Sequence, residues 1–490
     1  MDMNVEETLI NWTIREYEGK SFNDRVIFEQ VPLGWLFEKM FFPEIVPYFS
    51  RHHTSMMNGW KAAVHRTNLR LILGGVKLLM RIKMQVAGSA PKTTTAEKKI
   101  LFFAFSNQVR NKKIQRVEKL MNAMENSFPL IVSSVMKNKK HGLTQAYAYY
   151  DKNIEQKAQQ QAAMLHNQVE AIPLDAIKKY FSSEEMWECV SPLFSFYFSK
   201  SMLYYVLVHY YMFEKIVREE NIRAGVLTSS NHVLERAFIA AAHKQNVRSV
   251  IIQHGIGFAK RPVRDYCNSI FAVFGEMHKN RLVKSGIPSS NIKVTGPIVF
   301  EGIYKFKSLK KSRKKILITT QVLVEEGLIE KKKYFVYLRN IISQLKNVHA
   351  EVIIKMHPRE RTIEEYKKLS VEYPFVHVHQ QAGADDLYEL MAQAGVMINF
   401  FGSSTILEAS IMDVPSITID FPSLTQSHFG DNDPSIRIQY KENITETVKK
   451  VLKIKSINRE KRRALVKKLC GKIDGKETQR VIEIIRKIAK

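Results

Sequence analysis

The feature that most constrains this chain is a recurrence. Apolar runs of strand length alternate with stretches of helical period, first from about residue 98 and again from about residue 315. KILFFAF (residues 99–105) reads as a buried strand, followed by the loop Ser106-Asn107-Gln108, a helical segment to about Asn126 and a second strand over 129–135. A long helical region extends to about Glu220. AGVLTSS (224–230), a helix over 233–245, SVIIQHG (249–255), SIFAVFG (269–275), a helix to Ser285 and NIKVTGP (291–297) then repeat the strand-helix-strand unit. Parallel strands need such crossovers, so the spacing predicts a doubly wound parallel sheet.

The second series begins at KILITT (315–320) and continues with EVIIKM (351–356), FVHVHQ (375–380), a helix over 386–394, VMINFFG (396–402), a helix over 405–412 and SITIDF (416–421). The expected architecture is α/β, with two Rossmann-like doubly wound domains facing a central cleft and a helical extension before them. The boundaries are a basic amphipathic extension at 1–97, an N-terminal domain with a long helical insertion at 98–304, a basic linker at 305–315 and a C-terminal domain at 316–490. With 490 residues the chain is long enough for two full cores.

Charge is partitioned along this layout. The formal net charge is +27, and residues 45–96 carry eight basic residues and no acid. Residues 305–315 carry seven basic residues, and 441–490 carry seventeen basic against six acidic. These segments hold nearly all the excess, so the remainder is close to neutral, unlike a uniformly basic nucleic-acid binder. Arg66, Arg70, Lys77 and Arg81 fall within about 60° of one helical face, which suits an anionic membrane surface or an ordinary solvated face. Residues 193–213 approach the length of a membrane span, but Lys200, His209 and several serines favour a buried aromatic helix. Three scattered cysteines, Cys189, Cys267 and Cys470, fit a reducing compartment, and the acidic start Met1-Asp2 shows no signal-peptide pattern.

Functional groups in open α/β sheets gather beyond the carboxyl ends of strands. Four such loops are suggestive: Ser229-Ser230-Asn231, Gln253-His254-Gly255, His357-Pro358-Arg359-Glu360 and Gly402-Ser403-Ser404-Thr405. A Gly-Ser-Ser turn at a helix start offers N–H groups and hydroxyls to a phosphate, although Thr405 and Glu408 also match the S/T-x-x-E capping box. His357 with Arg359 could hold a diphosphate, and His254, expected across the cleft, is suited to take a proton from a hydroxyl. Asp431-Asn432-Asp433 has D-x-D spacing, better explained as a turn. His52-His53 and His377-His379 lack companions at metal spacing, so no metal is expected. P-loop, G-x-G-x-x-G and G-x-S-x-G patterns do not occur.

The segments VIIQHG, VFGEMHKNRLVKSGIPSSNIKVTGP, KMHPRE and FGSSTILEASIMDVPSITID resemble the GT-B superfamily, particularly CDP-glycerol glycerophosphotransferases and polysialyltransferases of surface polysaccharide synthesis. VTGP and SSTILEAS also resemble UDP-GlcNAc 2-epimerases. The likeness spans residues 224–420. It implies that His357 contacts the donor phosphate, that Ser403 and Ser404 bind the same group, that Glu408 reaches the ribose hydroxyls and that His254 is the general base. Arg359, Gly402 and Thr405 then complete the donor side, with Ser229, Ser230, Gln253 and Gly255 on the acceptor side. Ile256-Gly257-Phe258 departs from the transferase loop, and the polysialyltransferases' acidic motif is not evident.

The expected function is a metal-independent, inverting transfer of a sugar or polyol phosphate from a nucleotide-sugar or CDP-polyol donor to a hydroxyl acceptor, lipid-linked or polysaccharide. No cofactor is expected beyond the donor as substrate. The expected setting is cytoplasmic, peripheral on the inner face of the cell membrane, without nucleic acid. The alternatives are a UDP-GlcNAc 2-epimerase-type isomerase and a non-catalytic polyanion-binding protein.

Overall fold

The computed structural model describes residues 11–38, 97–105, 109–110, 113–114, 117–132, 144–181, 184–256, 263–306, 308–309, 312–325, 327–380, 384–401, 403–421, 429–454 and 457–490. The basic stretch 45–96, the loop 106–108, Gly257-Phe258 and Gly402 lie outside them.

Two all-parallel sheets form the frame. The first comprises β1 (Lys99–Phe105), β2 (Ser127–Val132), β3 (Thr144–Gln145), β4 (Ile222–Leu227), β5 (Arg248–Ile252), β6 (Ile270–Val273) and β7 (Ile292–Val294), in the order β7-β6-β5-β4-β1-β2-β3. The second comprises β8 (Ser312–Thr319), β9 (Glu351–Lys355), β10 (Val376–His379), β11 (Ala394–Phe400), β12 (Ser416–Asp420) and β13 (Ile436–Gln439), in the order β10-β9-β8-β11-β12-β13. Sheets covered by helices on both faces need strands apolar on both sides, which is why the central strands read as unbroken Ile, Val, Leu and Phe. The expected fold class, two Rossmann-like α/β units, is what the chain forms.

In each sheet the chain winds outward in one direction and then in the other. The reversal falls between β1 and β4 in the first sheet and between β8 and β11 in the second. Ligands of open α/β sheets bind at such points, beyond the carboxyl ends of the strands.

Four helices, α1 (Lys152–Glu170), α2 (Leu174–Tyr180), α3 (Glu184–Tyr197) and α4 (Lys200–Glu219), form the insertion between β3 and β4. The side chains of Asp151 and Ser199 accept from the backbone N–H groups of Ile154 and Met202, capping α1 and α4. The aromatic segment 193–213 is split between α3 and α4 and lies in the protein core, with His209 bonded to the Tyr147 hydroxyl (2.8 Å) and the Tyr205 carbonyl (2.7 Å). Among the described residues no helix is long and apolar enough to cross a membrane.

Residues 11–38 depart from the expected helical extension. They form two two-stranded ladders and two short helices, and Trp12, Phe22, Trp35 and Phe37 are buried in the first unit's core. Trp12 stacks on Phe181 with ring centroids 5.2 Å apart. Buried Glu38 binds both Arg236 (2.9 Å) and Arg264 (3.1 Å), and Arg236 is 1% exposed.

The linker expected over 305–315 is shorter than the charge run: the 3-10 helix Ile298–Phe306 precedes it and β8 begins at Ser312. The first unit continues with α5 (Val233–Lys244) and α6 (Glu276–Lys284), and the second sheet buries one face under α7 (Lys331–Leu345) and α8 (Ile363–Glu372). Its other face lies under α9 (Ala384–Gln393) and α10 (Thr405–Ile411). After α11 (Ile444–Lys453), helix α12 (Arg459–Cys470) touches α10 and α6, so it bridges the two units. Helix α13 (Glu477–Ile488) crosses back and buries Val481, Ile482 and Ile485 with Ile100, Phe102 and Val226 of the first sheet. Residues 316–490 therefore do not form one spatial unit. Gly275 is required at this junction, since a Cβ there would lie 2.5 Å from the Leu469 carbonyl oxygen.

Candidate functional site

The carboxyl end of β8 is the hub of the second unit. Thr320 Oγ1 accepts from the His357 N–H (2.9 Å) and donates to Glu360 Oε2. Glu360 Oε2 also accepts from the His357 N–H (2.8 Å), while Oε1 accepts from the Tyr366 hydroxyl (2.7 Å). On the other side, Thr319 Oγ1 lies 3.4 Å from Thr405 Oγ1, which donates to Ser403 Oγ (2.9 Å). Two neighbouring threonines thus join the histidine loop to the serine loop across the strand-order reversal.

The rings of His357 and His254 are held differently. The Arg359 N–H, which can only donate, points at His357 Nδ1 (3.2 Å). A neutral His357 ring therefore carries its proton on Nε2. His254 Nδ1 faces the Thr228 carbonyl oxygen, which can only accept, so its proton sits on Nδ1 and the lone pair on Nε2. Both rings are half-buried, and Arg359 is exposed.

The serine turn departs from the capping box expected of Thr405 and Glu408. Ser404 is the N-cap and makes no side-chain capping bond; Thr405 is the first helical residue. The Thr405 N–H goes instead to Ser403 Oγ (3.3 Å), and the Ser403 N–H to Asn399 Oδ1 (3.3 Å). Glu408 is buried on the helix's inner side, where burial pushes its carboxyl up to about 7 against a hydrogen bond from Tyr388. Glu360 is likewise pushed up to about 7 by burial. With seven residues α10 is a short dipole, so an anion here would depend on N–H groups and hydroxyls. Phe401, just before the turn, has a φ of +51°, a backbone state bulky residues rarely adopt and one often found beside ligand sites.

The first unit places its expected residues less uniformly. Gln253 points inward: its side chain is fully buried, donating to the Gly255 carbonyl (3.0 Å) and accepting from the Phe274 N–H (2.8 Å), so it shapes the His254 turn. Ser229 Oγ accepts from the Asn231 N–H (3.1 Å), and the Ser230 carbonyl accepts from Arg236 Nε (2.8 Å). Both serines help build the start of α5, where Glu235 caps the N–H groups of Asn231 and His232 at 3.0 Å each. Gly255 is half-buried, and a Cβ added there would meet nothing within 4 Å.

Among the described residues no group of three His, Cys, Asp or Glu is placed to hold a metal ion. Asp433 of the D-x-D run is a turn residue, accepting from Ser435 N–H (2.9 Å) and Oγ (2.6 Å) and pairing with Arg437 (3.3 Å). The sequence reading missed Thr319, Thr320 and Asn399. The only local trace of them is the polar end of otherwise apolar strands.

Two parallel α/β units, each with polar loops at its strand-order reversal, are a frame in which ligands bind beyond the carboxyl ends of the strands. Residues 259–486 match the model of the UDP-N-acetylglucosamine 2-epimerase family. No curated protein matches the chain in sequence. Among solved structures, the UDP-GlcNAc 2-epimerase from Neisseria meningitidis bound to UDP-GlcNAc is 13% identical with a TM-score of 0.47, covering 79% of this chain and 100% of that one. The UDP-GlcNAc 2-epimerase from Methanocaldococcus jannaschii is 14% identical with a TM-score of 0.46, covering 79% and 99%. The wall teichoic acid polymerase TagF, in a form soaked with CDPG, is 11% identical with a TM-score of 0.45, covering 89% and 98%. Likenesses of this size do not extend to an activity.

Proposed function

We propose that the protein is a metal-independent transferase that moves a sugar or polyol phosphate from a nucleotide-activated donor to a hydroxyl acceptor. The opposite proton placement on His254 and His357 carries this reading, because it supplies one nitrogen that can take a proton and one that can give a hydrogen bond to an anion. The donor's phosphates would lie on the β8–β11 reversal, against His357 Nε2–H, Arg359, and the Ser403 and Ser404 hydroxyls. His254 Nε2 takes the proton of the acceptor hydroxyl as its oxygen attacks. The bond to the nucleotide breaks on the opposite side, and the nucleoside phosphate leaves with the electron pair, its charge met by the groups already aimed at it. In-line attack inverts the reacting centre.

The acceptor is proposed to be a lipid-linked or polysaccharide hydroxyl, with the protein peripheral on the cytoplasmic side of a membrane. The support is the concentration of positive charge in residues 45–96 and 441–490. A second reading, an isomerase of the 2-epimerase type, is favoured by the match over residues 259–486. Incubation with UDP-GlcNAc alone separates them. Free UDP or a 2-epimer formed without any acceptor supports the isomerase and overturns the transferase, whereas turnover of a UDP- or CDP-linked donor that requires an added hydroxyl acceptor supports transfer.

A further inference from the structure

The buried carboxylate of Glu38 reaches the surroundings of His254 from two directions. Its Oε1 pairs with Arg236 Nη2 (2.9 Å) and its Oε2 with Arg264 Nη1 (3.1 Å). Arg236, on α5, passes the link on: Nε donates to the Ser230 carbonyl (2.8 Å) and Nη1 to the Trp35 carbonyl. Ser230 belongs to the same strand-end turn as Thr228, whose carbonyl accepts the His254 Nδ1–H. Arg264 lies further along the β5–β6 connection that begins with Gln253-His254. It is held on both flanks, with Nη2 donating to Asn11 Oδ1 (2.7 Å) and the Trp35 indole N–H donating to its carbonyl (2.9 Å). One carboxylate thus ties the turn that His254 bonds to and the connection that carries His254 itself.

Attachment of residues 11–38 does not need this cluster, because Trp12, Phe22, Trp35 and Phe37 are already buried in the first unit's core. Apolar burial is non-directional, whereas hydrogen bonds between guanidinium and carboxylate groups fix distance and angle. A buried ion cluster is weak evidence for stability, since apolar residues of similar volume often serve as well; its better-attested use is to select one arrangement. The arrangement selected here is that of Thr228–Ser230 against the β5–β6 connection. The imidazole of His254 spans the two, with its backbone on one and its Nδ1–H bond on the other. A base that must present Nε2 to a hydroxyl is sensitive to such a tilt, since a misplacement of about 1 Å costs about 10²-fold in rate.

We propose that Glu38 is a positioning residue for His254, acting through Arg236 on the Thr228–Ser230 turn and through Arg264 on the β5–β6 connection. The proposal rests on the transferase reading, in which His254 is the base, and gives residues 11–38 a part in that site.

The test uses the full chain and two variants. Glu38→Gln keeps the shape and removes the charge, and the triple variant Glu38→Leu/Arg236→Met/Arg264→Leu removes the cluster and leaves none of its charges unpaired in the core. NMR of protein carrying 15N-labelled histidine reads the His254 ring nitrogens, assigned by their loss in His254→Ala. The unaltered chain should show Nδ1 protonated and Nε2 bare, and both variants a mixture of tautomers. Turnover of a UDP- or CDP-linked donor with an added hydroxyl acceptor should fall about 10- to 100-fold in kcat. UDP and CDP, titrated calorimetrically, should bind within twofold of the unaltered affinity, because their proposed site is on the second sheet. An unchanged tautomer with kcat within threefold in Glu38→Gln overturns the proposal. If Glu38→Gln loses Tm, the triple variant decides by the same two readouts. Parallel loss of nucleotide binding and turnover in both variants marks a general loosening and also overturns it. The tautomer readout needs no turnover: an unaltered chain that never transfers to an acceptor overturns the transferase reading, and the ring nitrogens still decide whether Glu38 orients His254.

Discussion

The imidazole of His254 is tied to the backbone of Thr228: its Nδ1–H donates to the Thr228 carbonyl oxygen at the end of β4. That bond fixes both the tautomer and the ring's orientation. His254→Ala should lower kcat about 10²- to 10⁴-fold, the usual contribution of a positioned base, while the donor's Kd changes less than twofold. Steady-state kinetics with a donor titration check this, and turnover within threefold of the unaltered chain removes His254 from the base role.

Asn399 reaches the serine turn from below. It is fully buried, accepts from the Ser403 N–H and the Thr418 hydroxyl (3.2 Å), and donates to the Ile417 carbonyl (3.2 Å). Asn399→Leu strands these groups in the core, at a cost of about 1–3 kcal/mol for a buried polar group left unpaired. Denaturant unfolding should show that loss, and the KM for the donor should rise more than kcat falls. A kcat defect with unchanged KM would place Asn399 elsewhere in the mechanism.

Strand identity, parallel winding and the positions of the strand-end loops were legible in the sequence because a period-2 or fully apolar run changes abruptly at a strand's end. The roles within those loops were less so. Gln253 was expected on the acceptor side, yet its side chain is fully buried and held by the Phe274 N–H and the Gly255 carbonyl. Thr405 and Glu408 matched a capping pattern, but helix α10 begins one residue earlier than that pattern needs, with Ser404 as its N-cap. Asn399 could not be singled out, because its place beneath the serine turn comes from register across strands far apart in the chain. The return of α13 to the first sheet left no local sign: its amphipathic pattern says that it packs, and nothing about on what.

Glu408 gives a pH dependence. Its carboxyl is raised from 4.5 to about 7, so between these values the folded chain holds a proton that the unfolded chain has lost. The stabilisation is complete below about pH 4.5 and fades as the pH rises through 7. Glu408→Gln, which cannot ionise, should therefore unfold at a similar temperature to the unaltered chain at pH 5 and at a higher one at pH 8. The difference at pH 8 is about 3 kcal/mol at most. Parallel melting curves at both pH values that never diverge would remove the buried-charge account of Glu408.

Membrane association is testable separately from chemistry. Residues 45–96 carry eight positive charges, and each lysine or arginine near an anionic surface contributes about 1 kcal/mol at moderate salt. Deleting this segment should weaken co-sedimentation with vesicles containing phosphatidylglycerol, and 0.5 M salt should weaken binding of the full chain. Unchanged sedimentation of the deletion variant overturns the docking role.

Gly275 joins the two units. It is the N-cap of α6, and its Cα faces the Leu469 carbonyl carbon and the Gly471 nitrogen, 2.7 and 2.9 Å from where a Cβ would stand. These are backbone atoms that cannot rotate aside, so Gly275→Ala must push α12 away from α6. Overpacking of this kind costs about 1–3 kcal/mol, and here it opens the seam where Phe274 meets Leu465 and Leu469. Because α12 also packs on α10, the shift reaches the helix that begins with the serine turn. The variant should show a lower Tm together with weaker donor binding, while Gly286→Ala, whose Cβ would meet nothing within 4 Å, should leave donor binding unchanged whatever its positive φ does to stability. Equal donor affinity in both variants would mean that the seam does not control the donor loops.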